Sequence, residues 1–333
     1  MTQHRTRAHR VNPVIRGALL AAVATSLACT STITGNEGNF TFSYAADDAL
    51  LDFNKPVAVG ARLDLLVASA DDNLPVSLTD ASTDDPAVMV VAEYGGASLT
   101  LEGTGEGNVL VEVAGTTVGG EELTDSINMN AAVPEVHQLI HTCDRQGERA
   151  AYLTDEEILV EFEFQRSNGS PIIGYGYYPI TLSGSAVTLD ADASGQLWMH
   201  LQTGSTPEEV TMTSDIDGTS RTLVVVDEGS IDGAIEPLGI VWEDIDVGDT
   251  NAFYVLPTVG GDIVCQAQTP MNATSLTPDI CEVRDTDPDP DSEEWGWFSI
   301  TGVAEGTCEY EVTYTAGNGG TGASATFTFP IQP

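Results

Sequence analysis

Residues 84–113, DDPAVMVVAEYGGASLTLEGTGEGNVLVEV, recur in altered form at 277–312, TPDICEVRDTDPDPDSEEWGWFSITGVAEGTCEYEV. Pro86 matches Pro278, Leu99 matches Phe298, Leu101 matches Ile300, and Glu106-Gly107 matches Glu305-Gly306. Upstream, Val59-Gly60 introduces LDLLV as Val247-Gly248 introduces AFYVL. Self-similarity at this separation marks two copies of one structural unit of about 95 residues, flanking a middle stretch of similar size. Both copies are built from short apolar runs that alternate with polar residues between Gly, Asp, Asn and Pro clusters, which is the period of a half-buried strand. No long stretch after Cys29 carries apolar residues at helical spacing, so the chain reads as all-β.

The middle stretch, with EILVEFEFQ, GYGYYPITLSG, GQLWMHLQTG and EVTMTSD, has strand signals but no clear copy of the repeated motif. Strands every 8 to 12 residues suggest sandwiches, and three in a row is the economical account. The expected division is a signal peptide at 1–28, a tether at 29–36, and immunoglobulin-like sandwiches at 37–132, 133–236 and 237–333. A proline followed by a short strand, a hairpin, then small-x-Gly-x-small leading into an alternating strand resembles the bacterial group 2 immunoglobulin-like domain. The resemblance covers the first and third units, and the middle one is similar only to the broad immunoglobulin-like class. It implies a sandwich and little about activity, because such domains serve adhesins, accessory modules of enzymes and plain spacers.

Arg5, Arg7, Arg10 and Arg16 precede an apolar run from Gly17 to Ala28, the layout of an export signal. A run of twelve residues, two of them Thr25 and Ser26, falls short of the roughly 20 a membrane-spanning helix needs. The ending Ser26-Leu27-Ala28-Cys29 resembles the lipobox of bacterial lipoproteins, which implies lipidation at Cys29 and a membrane anchor. The family more often has its aliphatic residue at the position of Ser26, whereas here Leu27 comes one place later. Thr30 after Cys29, in place of Asp, leans toward the outer membrane.

Loss of residues 1–28 leaves seven basic residues against 51 acids, with Lys55 the single lysine. Such a charge repels nucleic acid and anionic lipid and attracts cations. It also resembles the acid-rich, lysine-poor surfaces of proteins from saline habitats, where charge serves solubility.

Besides Cys29 the chain has Cys143, Cys265, Cys281 and Cys308, in what the export signal makes an oxidising setting. The third unit looks like a cysteine-bearing variant of the group 2 domain, in which two cysteines join strands across the core. Strand parity agrees: Glu309, Glu311 and Thr313 face water, so Cys308, Tyr310, Val312 and Tyr314 face inward, as do Cys281 and Val283 opposite Glu282 and Arg284. Their counterparts Met89 and Val109 are apolar, as core neighbours should be. Cys281–Cys308 is the expected bridge, with Cys265–Cys308 the rival. Cys143 and Cys265 then either join the second and third units or stay free.

In HQLIHTC, His137 and His141 would share a face of a helix and suggest a metal, but on a strand they lie roughly 13 Å apart at about 3.3 Å per residue. A surface strand is expected there. Asp285, Asp287, Asp289 and Asp291 alternate in DTDPDPDSEE, and calcium favours carboxylate oxygens. An EF-hand loop counted from Asp285 would need Gly at its sixth place and Glu at its twelfth, where Pro290 and Gly296 stand. Calcium is therefore at most a weak expectation, and no other cofactor is implied. From Met89 to Ser98 the first copy takes nine steps and from Cys281 to Trp297 the third takes sixteen, so the acidic stretch is an insertion into a hairpin. With Phe298 and Ile300 in the core, Trp295 and Trp297 should point outward, available to a sugar or a partner protein.

No nucleophile elbow, zinc-protease helix, phosphate loop or Cys-His pair is present. The expectation is a non-catalytic envelope lipoprotein acting as stalk, spacer or adhesion module. The alternatives are a carbohydrate- or cation-dependent binding protein using Trp295, Trp297 and residues 285–294, and, more weakly, an enzyme with a carboxylate site.

Overall fold

The computed structural model describes residues 32–45, 55–143, 147–235, 245–265, 271–285, 297–314 and 322–333. Among them the regular structure is strand apart from one 3-10 turn at Glu228–Ser230, and no helix is long and apolar enough to cross a membrane. Two compact units emerge. The first comprises residues up to Val133 together with Pro171–Gly174, and the second Pro134–Ser170 together with Tyr175–Pro333.

The first unit is a two-sheet sandwich. One sheet runs in the order Thr32–Thr34, Phe40–Tyr44, Arg62–Ser69, Ser98–Gly103, Met89–Gly95. The other runs Val57–Ala58, Glu122–Ala132, Gly107–Thr116, Ser77–Thr83, and Val57–Ala58 lies parallel to the last strand of the chain segment. With the edge strand Thr32–Thr34 set aside and the rest lettered along the chain, this is A-B-E-D against A′-G-F-C, the strand arrangement of an immunoglobulin-like sandwich. Leu63, Leu65 and Val67, alternating with the outward Arg62, Asp64, Leu66 and Ala68, put one face of the strand into a core shared with Phe40, Phe42, Met89, Leu99 and Val111. Residues 32–34, expected in a tether, are instead the edge strand of this sheet, paired with Thr41–Ser43.

In the second unit the middle sandwich has the sheets 136–141, 157–165, 198–203, 187–190 and 149–153, 220–226, 208–214, 180–182. Its strand 149–153 runs parallel to 220–226. The strand order is therefore again A-B-E-D against A′-G-F-C, although no copy of the motif is legible in its sequence. The third sandwich repeats it once more: 245–246 lies parallel to 324–332, followed by 306–314 and 271–275, and the other layer holds 250–254, 297–302 and 281–285. Its first strand, Gly233–Ile235, pairs with Leu256–Val259, so the third sandwich takes in residues ahead of the boundary expected at 236/237.

The sequence repeat is a repeat of backbone devices. Met89 pairs with Gly103 and Cys281 with Gly302. Val59 bridges Gly103, and Val247 bridges Gly302, each in parallel. Gly60 (φ 92°) and Gly248 (φ 93°) turn the chain between sheets in the left-handed region that favours glycine, and each donates its N–H to the carbonyl of the paired glycine. A Cβ on Gly103 would lie 2.6 Å from the Ala58 carbonyl oxygen, and one on Gly302 would lie 2.7 Å from that of Asp246. Only glycine lets the two backbones approach so closely at either place.

Candidate functional site

The strongest arrangement is the junction between the middle and third sandwiches, both inside the second unit. Strand 149–153 reads RAAYL, with nothing charged after Arg149. Ala150 and Tyr152 face the interior of their own sandwich. Ala151 and Leu153, on the opposite face, are buried too, in one cluster with Val226, Ile231, Ala234, Ile245, Phe253 and Val264. A strand buried on both sides needs a partner on both sides, and here the third sandwich supplies the second. Burial of Leu153, Val226 and Ile231 contributes roughly 1.5–3 kcal/mol each.

Backbone and side chains complete the junction. Ala151 bridges Val264 in parallel, and the Cys265 N–H donates to the Ala151 carbonyl at 2.9 Å. Cys143 is disulfide-bonded to Cys265, with 5.2 Å between their Cα atoms, and this closes a loop of 122 residues worth about 4–5 kcal/mol in the chain-entropy account. Arg149 spans the seam: its Nε donates to Asp262 and its Nη1 to Glu209, both at 2.7 Å. The hydrogen bond to Asp262, then that to Glu209, holds its guanidinium pKa above the usual value. As the group is exposed, such a pair orients more than it stabilises. The Tyr314 hydroxyl, in the core of the third sandwich, donates to Glu228 at 3.0 Å, and Gly260 N–H donates to the Asp232 carboxylate.

Cys281 and Cys308 form the second disulfide, Cα atoms 5.5 Å apart, with both residues, Tyr310, Val312 and Tyr314 buried on the inward face. Phe298 and Ile300 are buried as well. Trp297 begins the strand Trp297–Gly302, opposite Tyr254 in the register, and Asp285 ends the strand Cys281–Asp285. Their side chains, together with Asp287, Asp289, Asp291 and Trp295, lie outside the described residues, as does Cys29. Among the described residues no three His, Cys, Asp or Glu side chains converge as a metal site would require.

The expectation of a surface strand at 136–141 is overturned. Both histidines share the phase of Leu139, and all three point into the middle sandwich, where His137 and His141 are fully buried. The His137 Nδ1 lies 3.2 Å from Ser214 Oγ, and its ring meets Phe162 edge-on and Phe164 at a tilt. Burial pushes the His137 imidazole down to about 4, against the pull of Asp217 and Asp215, so it is neutral at ordinary pH. The His141 Nδ1 lies 2.9 Å from the Tyr152 hydroxyl. These are core imidazoles. On a strand, residues two apart share a face, so the in-phase Leu139 is the sequence signal for burial at 137 and 141.

No family model matches the chain, and no curated protein sequence matches it. Solved structures similar to it include domains 4–9 of the surface layer protein SbsC, at 15% identity over 90% of this chain and TM-score 0.27. A second is SGBP-B of the Bacteroides ovatus mixed-linkage glucan utilization locus, at 8% identity over 84% of this chain and 66% of that one, TM-score 0.27. A third is invasin, a bacterial integrin-binding protein, at 12% identity over 88% of this chain and 60% of that one, TM-score 0.23. The chain spans 45% of the length of the surface layer structure.

Proposed function

We propose that the protein is a non-catalytic cell-envelope lipoprotein, exported and anchored through Cys29 in the outer membrane, acting as a surface stalk, spacer or adhesion module. The observation that carries this reading is the junction. Ala151, Leu153 and Val226 of the middle sandwich are buried in the core of the third, and a disulfide between Cys143 and Cys265 and a parallel backbone bridge join the two, so bending between them costs buried apolar surface as well as a covalent constraint. A spacer needs that stiffness. An ordinary pair of linked domains lacks it, because interfaces between domains of one chain are usually small and permit relative motion.

Scanning calorimetry of the full chain tests the reading. The middle and third sandwiches should melt in one transition, and neither a panel of polysaccharides nor millimolar calcium should move any transition. Two separate transitions for those sandwiches would sink the stiff-spacer account. A rise of more than about 2 °C with a glycan or calcium would favour the competing reading, in which Trp295, Trp297 and residues 285–294 bind a polysaccharide or a cation-bridged protein partner.

A further inference from the structure

We infer that Asp125 is a mechanical lock that stops the first sandwich from being peeled apart from its N-terminal end, an inference that rests on the anchor at Cys29 proposed above. Asp125 stands in the last strand of the sandwich, Glu122–Ala132, and only 2% of its surface is exposed. Its Oδ1 accepts the N–H of Glu37 at 2.9 Å and of Ser126 at 2.8 Å. Its Oδ2 accepts the N–H of Asn39 at 2.8 Å and of Phe40 at 2.7 Å. Three of the four donors lie in the loop and strand start between the edge strand Thr32–Thr34 and its partner Phe40–Tyr44, in the opposite sheet. One carboxylate therefore pins the return of that hairpin to the other layer of the sandwich.

The surroundings are fitted to the same end. Asn36 N–H donates to the Ser126 carbonyl at 2.8 Å, Asn36 Nδ2 to Ser126 Oγ at 2.9 Å, and Asn39 Nδ2 to the Thr124 carbonyl at 2.8 Å. The Ser126 hydroxyl donates to the Glu37 carboxylate. Gly35 passes so close that an added Cβ would lie 2.2 Å from Asp125 Oδ1, so the chain enters the lock only as glycine.

Tension applied at residue 29 enters the described chain at Thr32. The edge strand has three register pairs, Thr32 with Ser43, Ile33 with Phe42 and Thr34 with Thr41. An antiparallel hairpin pulled from its open end gives these up one pair at a time, so by itself it resists little. The peel then reaches residues 35–40, where charge-assisted bonds to one buried carboxylate share the tension, and each is stronger than a neutral amide bond. Behind them stand Phe40 and Phe42, fully buried in the core. Losing the carboxylate would also leave several amide donors unpaired, which costs more than the bonds themselves contribute.

The test is single-molecule pulling of the full chain between residue 29 and the C-terminus, with Asp125→Ala, Asp125→Asn and Gly35→Ala. Forced unfolding reads the unfolding rate under tension. The first sandwich of Asp125→Ala and of Gly35→Ala should yield at least about tenfold faster at fixed force, since losing one charge-assisted bond is worth about a factor of ten or more. Asp125→Asn, which keeps one acceptor, should be intermediate, and it preserves the test if Asp125→Ala fails to fold. Moving the N-terminal attachment to Asp72, in the loop after strand Arg62–Ser69, bypasses the lock and should remove most of the difference between variant and parent. Equal weakening in both geometries would show Asp125 to be a stability residue only and overturn the lock, as would unchanged rates from residue 29. Failure of the anchor is read separately, by membrane fractionation of Cys29→Ser: if that chain partitions as the parent does, the anchored-stalk reading fails whatever the force data say.

Discussion

Met89 in the first sandwich and Cys281 in the third occupy the same place, opposite Gly103 and Gly302, at the start of the same strand. Val109 and Cys308 likewise begin the inward face of equivalent strands. The first sandwich fills this region with a methionine and a valine, the third with a disulfide, and the backbone around them is the same. What these two sandwiches have in common is thus the pair of glycine-dependent close approaches and the alternation of the strands. The core filling differs. The sandwiches differ more at their first strands: in the first unit that strand is pinned by Asp125, whereas in the third, Gly233–Ile235 arrives directly from the end of the middle sandwich.

The largest expected effect tests the shared device. Gly103→Ala and Gly302→Ala each drive a methyl into a backbone carbonyl and should cost about 4 kcal/mol or more. Calorimetry should show Gly103→Ala abolishing the first sandwich's transition alone, and Gly302→Ala lowering the joint transition of the other two. If Gly302→Ala spared the middle sandwich, the junction would not couple the two.

Next comes the interchange of fillings. Cys281→Ser with Cys308→Ser should cost about 3–4 kcal/mol, the loop between them spanning 27 residues. Importing the first sandwich's pair, Cys281→Met with Cys308→Val, should recover a large part of this in urea melts. No recovery would mean the two cores are shaped differently despite their common frame.

A third difference lies in titration. Histidines 137 and 141 both belong to the middle sandwich, and the third has none. His137 has a folded pKa of about 4 against 6.5 ordinarily, so as pH falls the unfolded chain takes up the proton first. Stability is complete above about pH 6.5 and should decline by about 3 kcal/mol as pH approaches 4. His137→Phe should flatten that dependence, and urea midpoints at pH 7 and pH 5 would show whether it does.

The smallest expected effect concerns the hairpin insertion that the first sandwich lacks. Trp297→Ala should leave binding on a glycan array at background, as in the parent, if the chain is a spacer. A parent signal lost in the variant would move the function to that hairpin.

Much of the frame was legible in the sequence. The repeat, the inward phase of Cys281 and Cys308, and the burial of Phe298 and Ile300 follow from strand alternation, a local property with a period of two. The middle stretch reads as an immunoglobulin-like sandwich, but that it repeats the strand order of its neighbours is not legible in its sequence. It uses different side chains to satisfy the same sheet order, and strand order is not written in any one strand. The polarity of the two histidines points to the surface, whereas their phase with Leu139 points inward, and it is the phase that decides.

The sequence by itself determined an all-β chain, its duplicated unit and which residues of each strand face a core. Tertiary structure alone decided that RAAYL is buried on both faces, that Cys143 meets Cys265, and that Asp125 collects amides from residues 85 to 88 positions away. The reason is physical. Facing and alternation are fixed by neighbours along the chain, whereas the second partner of a doubly buried strand and the donors of a buried carboxylate come from distant segments, placed only when the sheets close.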